Sequence, residues 1–346
     1  MGLPLKIINP QDYGQWDDLL ISTPDYSFFH SSSWANVLTE SYNYVPCYVT
    51  QLDNNKLHSL LPIMEVKSFL TKKRGVSLPF TDYCEPIVSD GVLFHELMGF
   101  VTAYGEKRGW KHFEVRGGQA FLGKETPSAC YFDHTLDLTI GIGKILAGLR
   151  ESTKRNLKKA QREDIEVGIF TTLESVNRFY HLNCMTRKRH GLPPQPYRFF
   201  RSIHQNVISR GFGLVVLAFY RQTCIAGAVF FHFGGKVLFK YGASNLNYQH
   251  LRANNLVMWE AIKWYSQNGY KSLCFGRTEP QNDGLRQFKR GWGARERIVN
   301  YYKYDFSRGA FIAGQSAPNK LYNRLLSKMP IPALRLIGTL LCKYIG

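Results

Sequence analysis

Between Asn282 and Gly293 the chain places Arg286, Lys289 and Arg290 on one short segment, closed by Gly291 and Gly293 around Trp292. Fixed positive charge beside backbone freed of side chains suits an anion or polar group that approaches closely. Arg277 follows the apolar run 273–275 and stands where a side chain reaches over the end of a strand, a common position for site residues. An ion pair with Glu279 is the competing reading. Glu260 has Leu256, Val257 and Trp264 as helical neighbours. On such a stripe a carboxyl gains the raised pKa of a general base, whereas pairing with Arg252 or Lys263 makes it a helix brace, and both readings stand. Arg187, Lys188, Arg189 and His190 bunch ahead of the prolines in TRKRHGLPPQP. Guanidinium forks suit phosphate groups, so Arg187, Arg189 and His190 are expected to hold an anionic substrate, with a solvated basic face as the alternative. Tyr241 and Asn255 are further candidate substrate contacts, Tyr241 competing with a place in the core. No Ser/His/Asp or Cys/His arrangement suggests a covalent intermediate, and nothing at ligand spacing from His190 suggests a metal.

The elements that carry these residues follow from hydrophobic period and turn chemistry. GYKSLCF reads as a strand entered through Gly269 and ended by Gly276; Asn282, Asp283 and Gly284 then supply a turn and an N-cap for a helix. Ahead of it, 251–267 is a long helix carrying Asn255 and Glu260, and GLVVLAFY, CIAGAVFFHF and KVLFKYG are consecutive strands. Helices are expected at 173–190 and 197–210, after a strand EVGIF. The segment 142–162 reads as one helix; from Lys144 to Arg162 it holds seven Lys or Arg against one Glu, with Ile145, Leu149 and Leu157 as its apolar stripe. The first part mixes helices near 12–21, 32–40 and 92–108 with strands PCYVTQL, LHSLLPIMEV, HFEVRG and YFDHTLDL; IVNYYKYDF is a strand after the cationic segment. Both halves therefore read as helices packed on a largely antiparallel sheet, an α/β (α+β) arrangement without a residue-level repeat.

The 346 residues suffice for two domains with separate cores, and 44% hydrophobic and 14% aromatic residues argue against disorder. A formal net charge of +18 points to an anionic partner: nucleic acid, lipid surface or a phosphate-bearing substrate. Seven cysteines without CxxC spacing suggest neither a zinc site nor a disulfide framework. The N-terminus lacks the apolar core of a signal peptide and no apolar run approaches the ~18 residues of a span, so a cytoplasmic chain, soluble or peripheral on the inner membrane face, is expected. After Pro330 and Pro332, Leu334, Ile337, Leu341 and Tyr344 repeat at helical spacing, with Arg335 and Lys343 off the stripe. Such a basic amphipathic tail, 311–346, either lies on an anionic membrane surface or docks on the protein.

Taken in order, TRKRHGLP, IAGAVFFHFGGKVLFKYGASN, LRANNLVMWEAIKWYSQNGY and FGRTEPQNDGLRQFKRGWGA resemble the FemAB-like branch of the GNAT acyltransferase superfamily, well over 150–305 and loosely before that. The resemblance implies two tandem GNAT-like domains, here 1–141 and 142–308, followed by the tail 309–346. It also implies acyl transfer to an amine or hydroxyl of a cell-envelope precursor, for peptidoglycan or exopolysaccharide, lipid-linked or nucleotide-linked. The donor is then a co-substrate, aminoacyl-tRNA or acyl-CoA, with no tightly bound cofactor. Lys289 matches the family's FK-x-G-[FW]-G motif and resembles the lysine close to the donor acyl group; Arg290, Gly291 and Trp292 are expected beside it. Two departures stand out. No segment sustains the heptads of a coiled-coil arm, and the Q/R-x-x-G-x-G/A pyrophosphate loop is missing, RQTCIAGA being the nearest candidate. The runner-up activities are acyl-CoA-dependent N-acetylation and non-catalytic binding of RNA or anionic lipid.

Overall fold

The computed structural model describes residues 3–53, 56–68, 72–314 and 320–345. The chain divides into two compact units, 1–131 with 298–317 and 343–346, and 132–297 with 318–342. This differs from the contiguous division at 141 and 308. The strands Ala129–Asp137 and Arg295–Asp305 each begin in one unit and end in the other, and most of the tail belongs to the second unit.

In the first unit, Lys6–Ile8, Tyr48–Asp53 and Lys56–Leu61 form a three-stranded antiparallel sheet. LHSLLPIMEV is not one strand: Pro62 and Ile63 separate Lys56–Leu61 from Met64–Ser68, which pairs antiparallel with Lys72–Val76. Lys72–Val76 in turn runs parallel to His112–Arg116, and the intervening crossover is the helix Gly91–Arg108. Asp90 caps that helix through Leu93 N, and Gly109 ends it at φ 69°. Leu97 and Val101 bury its inner face against Trp110, Phe113 and Val115.

The second unit carries the cationic segment, and its elements are labelled here in chain order. They are β1 (Ala129–Asp137, from Phe132 in this unit), α1 (Ile142–Gly148), α2 (Glu151–Arg162), β2 (Ile165–Phe170), α3 (Leu173–Arg189) and α4 (Tyr197–Ile203). Then come β3 (Gly213–Tyr220), β4 (Thr223–Phe233), β5 (Lys236–Ser244), α5 (Ala253–Gln267), β6 (Ser272–Cys274) and α6 (Asp283–Arg290). Last are β7 (Arg295–Asp305, to Arg297 in this unit), α7 (Lys320–Lys328) and α8 (Ile331–Ile345, to Cys342 in this unit). The strand order is β1-β6-β5-β4-β3-β2, antiparallel except for the parallel pair β5–β6. β4 is buried from Ile225 to Phe233, which explains its unbroken apolar run at the sheet centre. α5 covers the sheet through Leu256, Trp259, Ile262 and Tyr265. A strand, a long crossover helix and a parallel strand thus recur in both units, a repeat of topology without a repeat of residues.

Three local expectations change. The helix expected over 142–162 breaks between α1 and α2, where Leu149 turns extended and Arg150 N donates to Gly291 O at 3.0 Å. Arg221 and Gln222, at φ 46° and 65°, are the two-residue turn of the β3–β4 hairpin and Thr223 and Cys224 begin β4, so RQTCIAGA is no strand-to-helix phosphate loop. The tail takes the docked one of its two readings, though of the expected stripe Leu334 alone is buried. Leu334, Gly338 and Cys342, one helical turn apart, form the docked face of α8, and Leu334 is fully buried. A Cβ on Gly338 would stand 1.9 Å from Pro194 O, so Gly338→Val is expected to undock α8. Limited proteolysis should then cleave after α7 at least tenfold faster than in the parent, roughly the effect of losing 1–2 kcal/mol of packing.

Candidate functional site

β5 and β6 pair over Lys236↔Ser272, Val237↔Leu273 and Leu238↔Cys274 only; β6 then stops while β5 runs on to Ser244. The β4–β5 register shifts at the same level, pairing Val229 with Tyr241 and Phe230 with Phe239, so that Lys240 is the extra residue of a bulge. Past the end of β5 lies a cleft of about 200 Å³, lined among others by Asn156, Asn245, Arg252, Asn254, Asn255 and Phe288. It opens at the first turn of α5, whose dipole favours negative charge, with Asn255 N already donating to Arg252 O at 2.9 Å. Arg252 enters the turn at φ 60°. Asn255 is buried, and Asn254 donates to Ser244 Oγ at 3.2 Å. α2 contributes Asn156, flanked in sequence by Lys154, Arg155, Lys158 and Lys159. A second groove, of about 490 Å³, runs between α3 and the start of β4 and includes Asn177, His181, Met185, Cys224 and again Asn245. The two clefts therefore meet at Asn245. Burial pushes the Cys224 thiol up to about 11, so at neutral pH it is no thiolate nucleophile.

The cationic segment next to this cleft forms a corner in which Lys289, Gly291 and Trp292 are buried. Gly276, at φ 68°, ends β6, and the chain returns to β1 through reciprocal backbone bonds between Phe132 and Thr278 of 2.8 and 2.6 Å. Lys289 is only 2% exposed and its Nζ donates to Gly276 O at 2.6 Å and Arg277 O at 3.0 Å. Asn282 caps α6 through Leu285 N, as its sequence position suggested. Gly291 has no room for a side chain, since a Cβ would meet Thr153 Oγ1 of α2 at 2.4 Å. Trp292 is fully buried against Phe288, and its Nε1 lacks a hydrogen-bond acceptor. Arg290 does not reach the cleft's interior; it pairs with Glu296. Arg286 grips the same carboxylate through Nε and Nη2, both at 2.7 Å, and lies 3.7 Å over the Phe132 ring. These bonds, from Arg286 first, hold the Glu296 carboxyl down at about 2. His134 Nε2 is 2.9 Å from Glu296 Oε2. Burial, reinforced by the Lys289 charge, keeps the His134 pKa below its ordinary value, so the neutral ring donates through Nε2 and leaves Nδ1 buried without a partner.

The other residues read from sequence scatter. Arg277 is half-buried beside the corner, its carbonyl taken by Lys289. Glu260 pairs with Lys263 at 2.7 Å along α5, the bracing role, and it does not line the cleft. Arg187 is spent on its own loop, donating from Nε and Nη2 to Pro193 O at 3.2 and 3.1 Å. Arg189 is exposed, with Nη2 3.4 Å from His190 Nε2, and burial together with the neighbouring Arg189 and Arg187 holds the His190 pKa down. Tyr241 is half-buried and packs its ring on Phe200 and Phe199, 5.5 and 6.5 Å away, apart from the cleft. Asn255 alone of the expected substrate contacts lines the cleft. Asn156 and Asn245 were not singled out from sequence, and Arg252 only as a partner for Glu260; the signal available was a neutral polar residue inside the basic run of α2 and an Arg-Ala-Asn-Asn helix start after a strand.

A family model described as the acetyltransferase (GNAT) domain matches residues 147–290. A lipid II:glycine glycyltransferase of Staphylococcus haemolyticus is 35% identical over 75 residues, a stretch that spans 20% of this chain and 18% of that protein. The crystal structure of FemX superposes with a TM-score of 0.70 at 12% identity, covering 88% of this chain and 97% of FemX. A tandem GNAT protein from the clavulanic acid biosynthesis pathway superposes with a TM-score of 0.59 at 10% identity, over 91% of this chain and 100% of that one. At these identities the structural likeness is one of fold, and the tandem GNAT architecture is the one expected from sequence.

Proposed function

We propose that the chain, which matches the acetyltransferase (GNAT) domain over residues 147–290 and is similar to FemX in fold, is an acyltransferase of the FemAB-like kind that transfers an aminoacyl or acyl group to an amine or hydroxyl of a cell-envelope precursor. The observation that carries the reading is the polar cleft where β5 outruns β6, at the start of α5 and against the basic helix α2. In this reading the anionic part of the donor lies on the first turn of α5, where N–H groups, Arg252 and Asn255 meet it. The acyl carbonyl points toward the Lys289 corner. The acceptor enters along the groove of α3 and reaches the carbonyl past Asn245. Its nitrogen or oxygen bonds to the acyl carbon, the bond from that carbon to the donor's ribose oxygen or thioester sulfur breaks, and the acceptor's proton passes through solvent to the leaving oxygen or sulfur. Holding both reactants in one bent groove supplies most of the acceleration through proximity. Lys289 adds positive potential at the developing oxyanion, a charge fixed by two carbonyls and not one swung in by a mobile side chain. Peptidoglycan precursor is the favoured acceptor because the Staphylococcus relative is a lipid II glycyltransferase; the net charge of +18 favours aminoacyl-tRNA as donor. Acyl-CoA is the second reading, favoured by the helix-start geometry of the cleft.

The experiment presents lipid-linked precursor with either a charged tRNA pool or acetyl-CoA and analyses the precursor by mass spectrometry. Mass gain only with charged tRNA supports amino-acid transfer, gain only with acetyl-CoA supports the second reading, and no gain with either removes both. In the productive assay, Arg252→Ala is expected to raise the donor KM about tenfold with little change in kcat, the cost of one charge-assisted contact made equally in ground and transition states.

A further inference from the structure

We propose that the outer face of the α7–α8 pair docks on an anionic lipid surface. Both helices rest on the turn after α3. A Cβ on Gly191 would stand 1.9 Å from Asn323 O of α7, and one on Gly338 of α8 the same distance from Pro194 O. Leu326, Leu334 and Cys342 are buried on this side, and the Cys342 thiol points to Pro194 O at 3.7 Å. With both inner faces on one short turn, the opposite faces look outward. There Tyr322, Leu325, Leu336 and Leu340 are 47, 68, 62 and 56% exposed. At 3.6 residues per turn, Leu336 and Leu340 lie across α8 from the Leu334, Gly338 and Cys342 stripe. A helix pair bathed only in water carries polar side chains on such a face.

The charge around the patch identifies its partner. Arg324, Lys328 and Arg335 border it, and the chain has no Asp or Glu after Asp305. The Arg335 guanidinium lies 5.3 Å over the Tyr180 ring, which holds it at the rim. Exposed leucines bracketed by cations, with acids excluded, match the interface of an anionic bilayer: apolar side chains enter the acyl boundary while cations meet headgroup phosphates. A partner protein of ordinary surface gives no reason for so one-sided a charge. Among the described residues no helix is long and apolar enough to cross a membrane, so the contact is shallow. The inference concerns lipid binding alone and is independent of the acyl-transfer reading.

The test sediments the full chain with vesicles of phosphatidylcholine, with and without phosphatidylglycerol. Binding is expected only with phosphatidylglycerol, weakening as salt rises. The double variant Leu336→Ser/Leu340→Ser should bind at least about tenfold more weakly, since each buried leucine contributes several methylene equivalents. Arg324→Gln/Lys328→Gln should lose about thirtyfold, near 1 kcal/mol for each of the two cations at the surface. The replaced side chains are exposed, so an unchanged melting temperature checks the fold. Equal retention of the serine variant, equal binding to neutral vesicles, or self-association abolished by the same serines would each overturn the proposal, the last assigning the face to a second copy.

Discussion

Lys289→Met is expected to lower acyl transfer by at least about 100-fold while costing the second unit about 3 kcal/mol of stability. The two effects have one origin. The Lys289 ammonium is 2% exposed and satisfies the carbonyls of Gly276 and Arg277, where the chain leaves β6 with a left-handed glycine. Methionine fills the same volume but donates to neither oxygen, and a lost hydrogen bond to a charged group costs roughly 1.5–3 kcal/mol. The kinetic loss corresponds to removing the fixed positive potential that the ammonium, held by two backbone carbonyls, supplies to the developing oxyanion, an electrostatic contribution of about 10² in kcat. Transfer is measured at a temperature where circular dichroism shows the variant folded, and the loss should appear in kcat with donor KM within about twofold. Full kcat in a folded variant would remove Lys289 from the chemistry and leave it a strut.

The second large effect belongs to Glu296. This carboxylate takes both nitrogens of the Arg286 fork, Arg290 and the His134 ring, and its side chain is 15% exposed. Glu296→Gln removes the charge that compensates two guanidinium groups, and breaking such a largely buried cluster costs about 3 kcal/mol. The pH dependence has a definite sign. The folded pKa of about 2 lies below the ordinary 4.5, so the carboxylate stabilises the fold fully above pH 4.5 and loses that contribution as pH falls toward 2. His134 is likewise depressed below 6.5, so its neutral ring favours the folded state above that value and acid withdraws the benefit. Urea denaturation of parent and variant between pH 7 and pH 3 checks this. The stability gap should be widest near neutrality and shrink below about pH 4.5; a gap independent of pH would mean that Glu296 acts through shape alone.

Much of the second unit was legible from sequence. Residues 213–244 are long apolar runs of strand period, and a fully buried sheet centre admits little else, so β3, β4 and β5 lie where expected. Asn282 and Gly291 mark the ends of α6 because capping is a local interaction. Side-chain partners were less legible. Glu260 was open to both a base and a brace, with the brace favoured, and the 2.7 Å contact with Lys263 shows the brace. Arg187 and Arg189 looked like one anion fork, yet the turn at Gly191 sends Arg187 back to Pro193 O.

Taken alone, the order of amino acids determined the period of each element, its caps, the excess of positive charge and the FKRGWG corner, all properties set by residues within a few positions of one another. Tertiary structure decided the break at Leu149 and Arg150, which depends on Gly291 O, and the inward turn of Leu334, which depends on the bare face of Gly338 against Pro194. It also decided the cleft, which exists because β6 stops at Cys274 while β5 continues to Ser244. The physical reason is the range of the interaction: caps and periods act between neighbours along the chain, whereas a strand's length, a charge's partner and a helix's docked face are set by groups far apart in sequence that packing alone brings together.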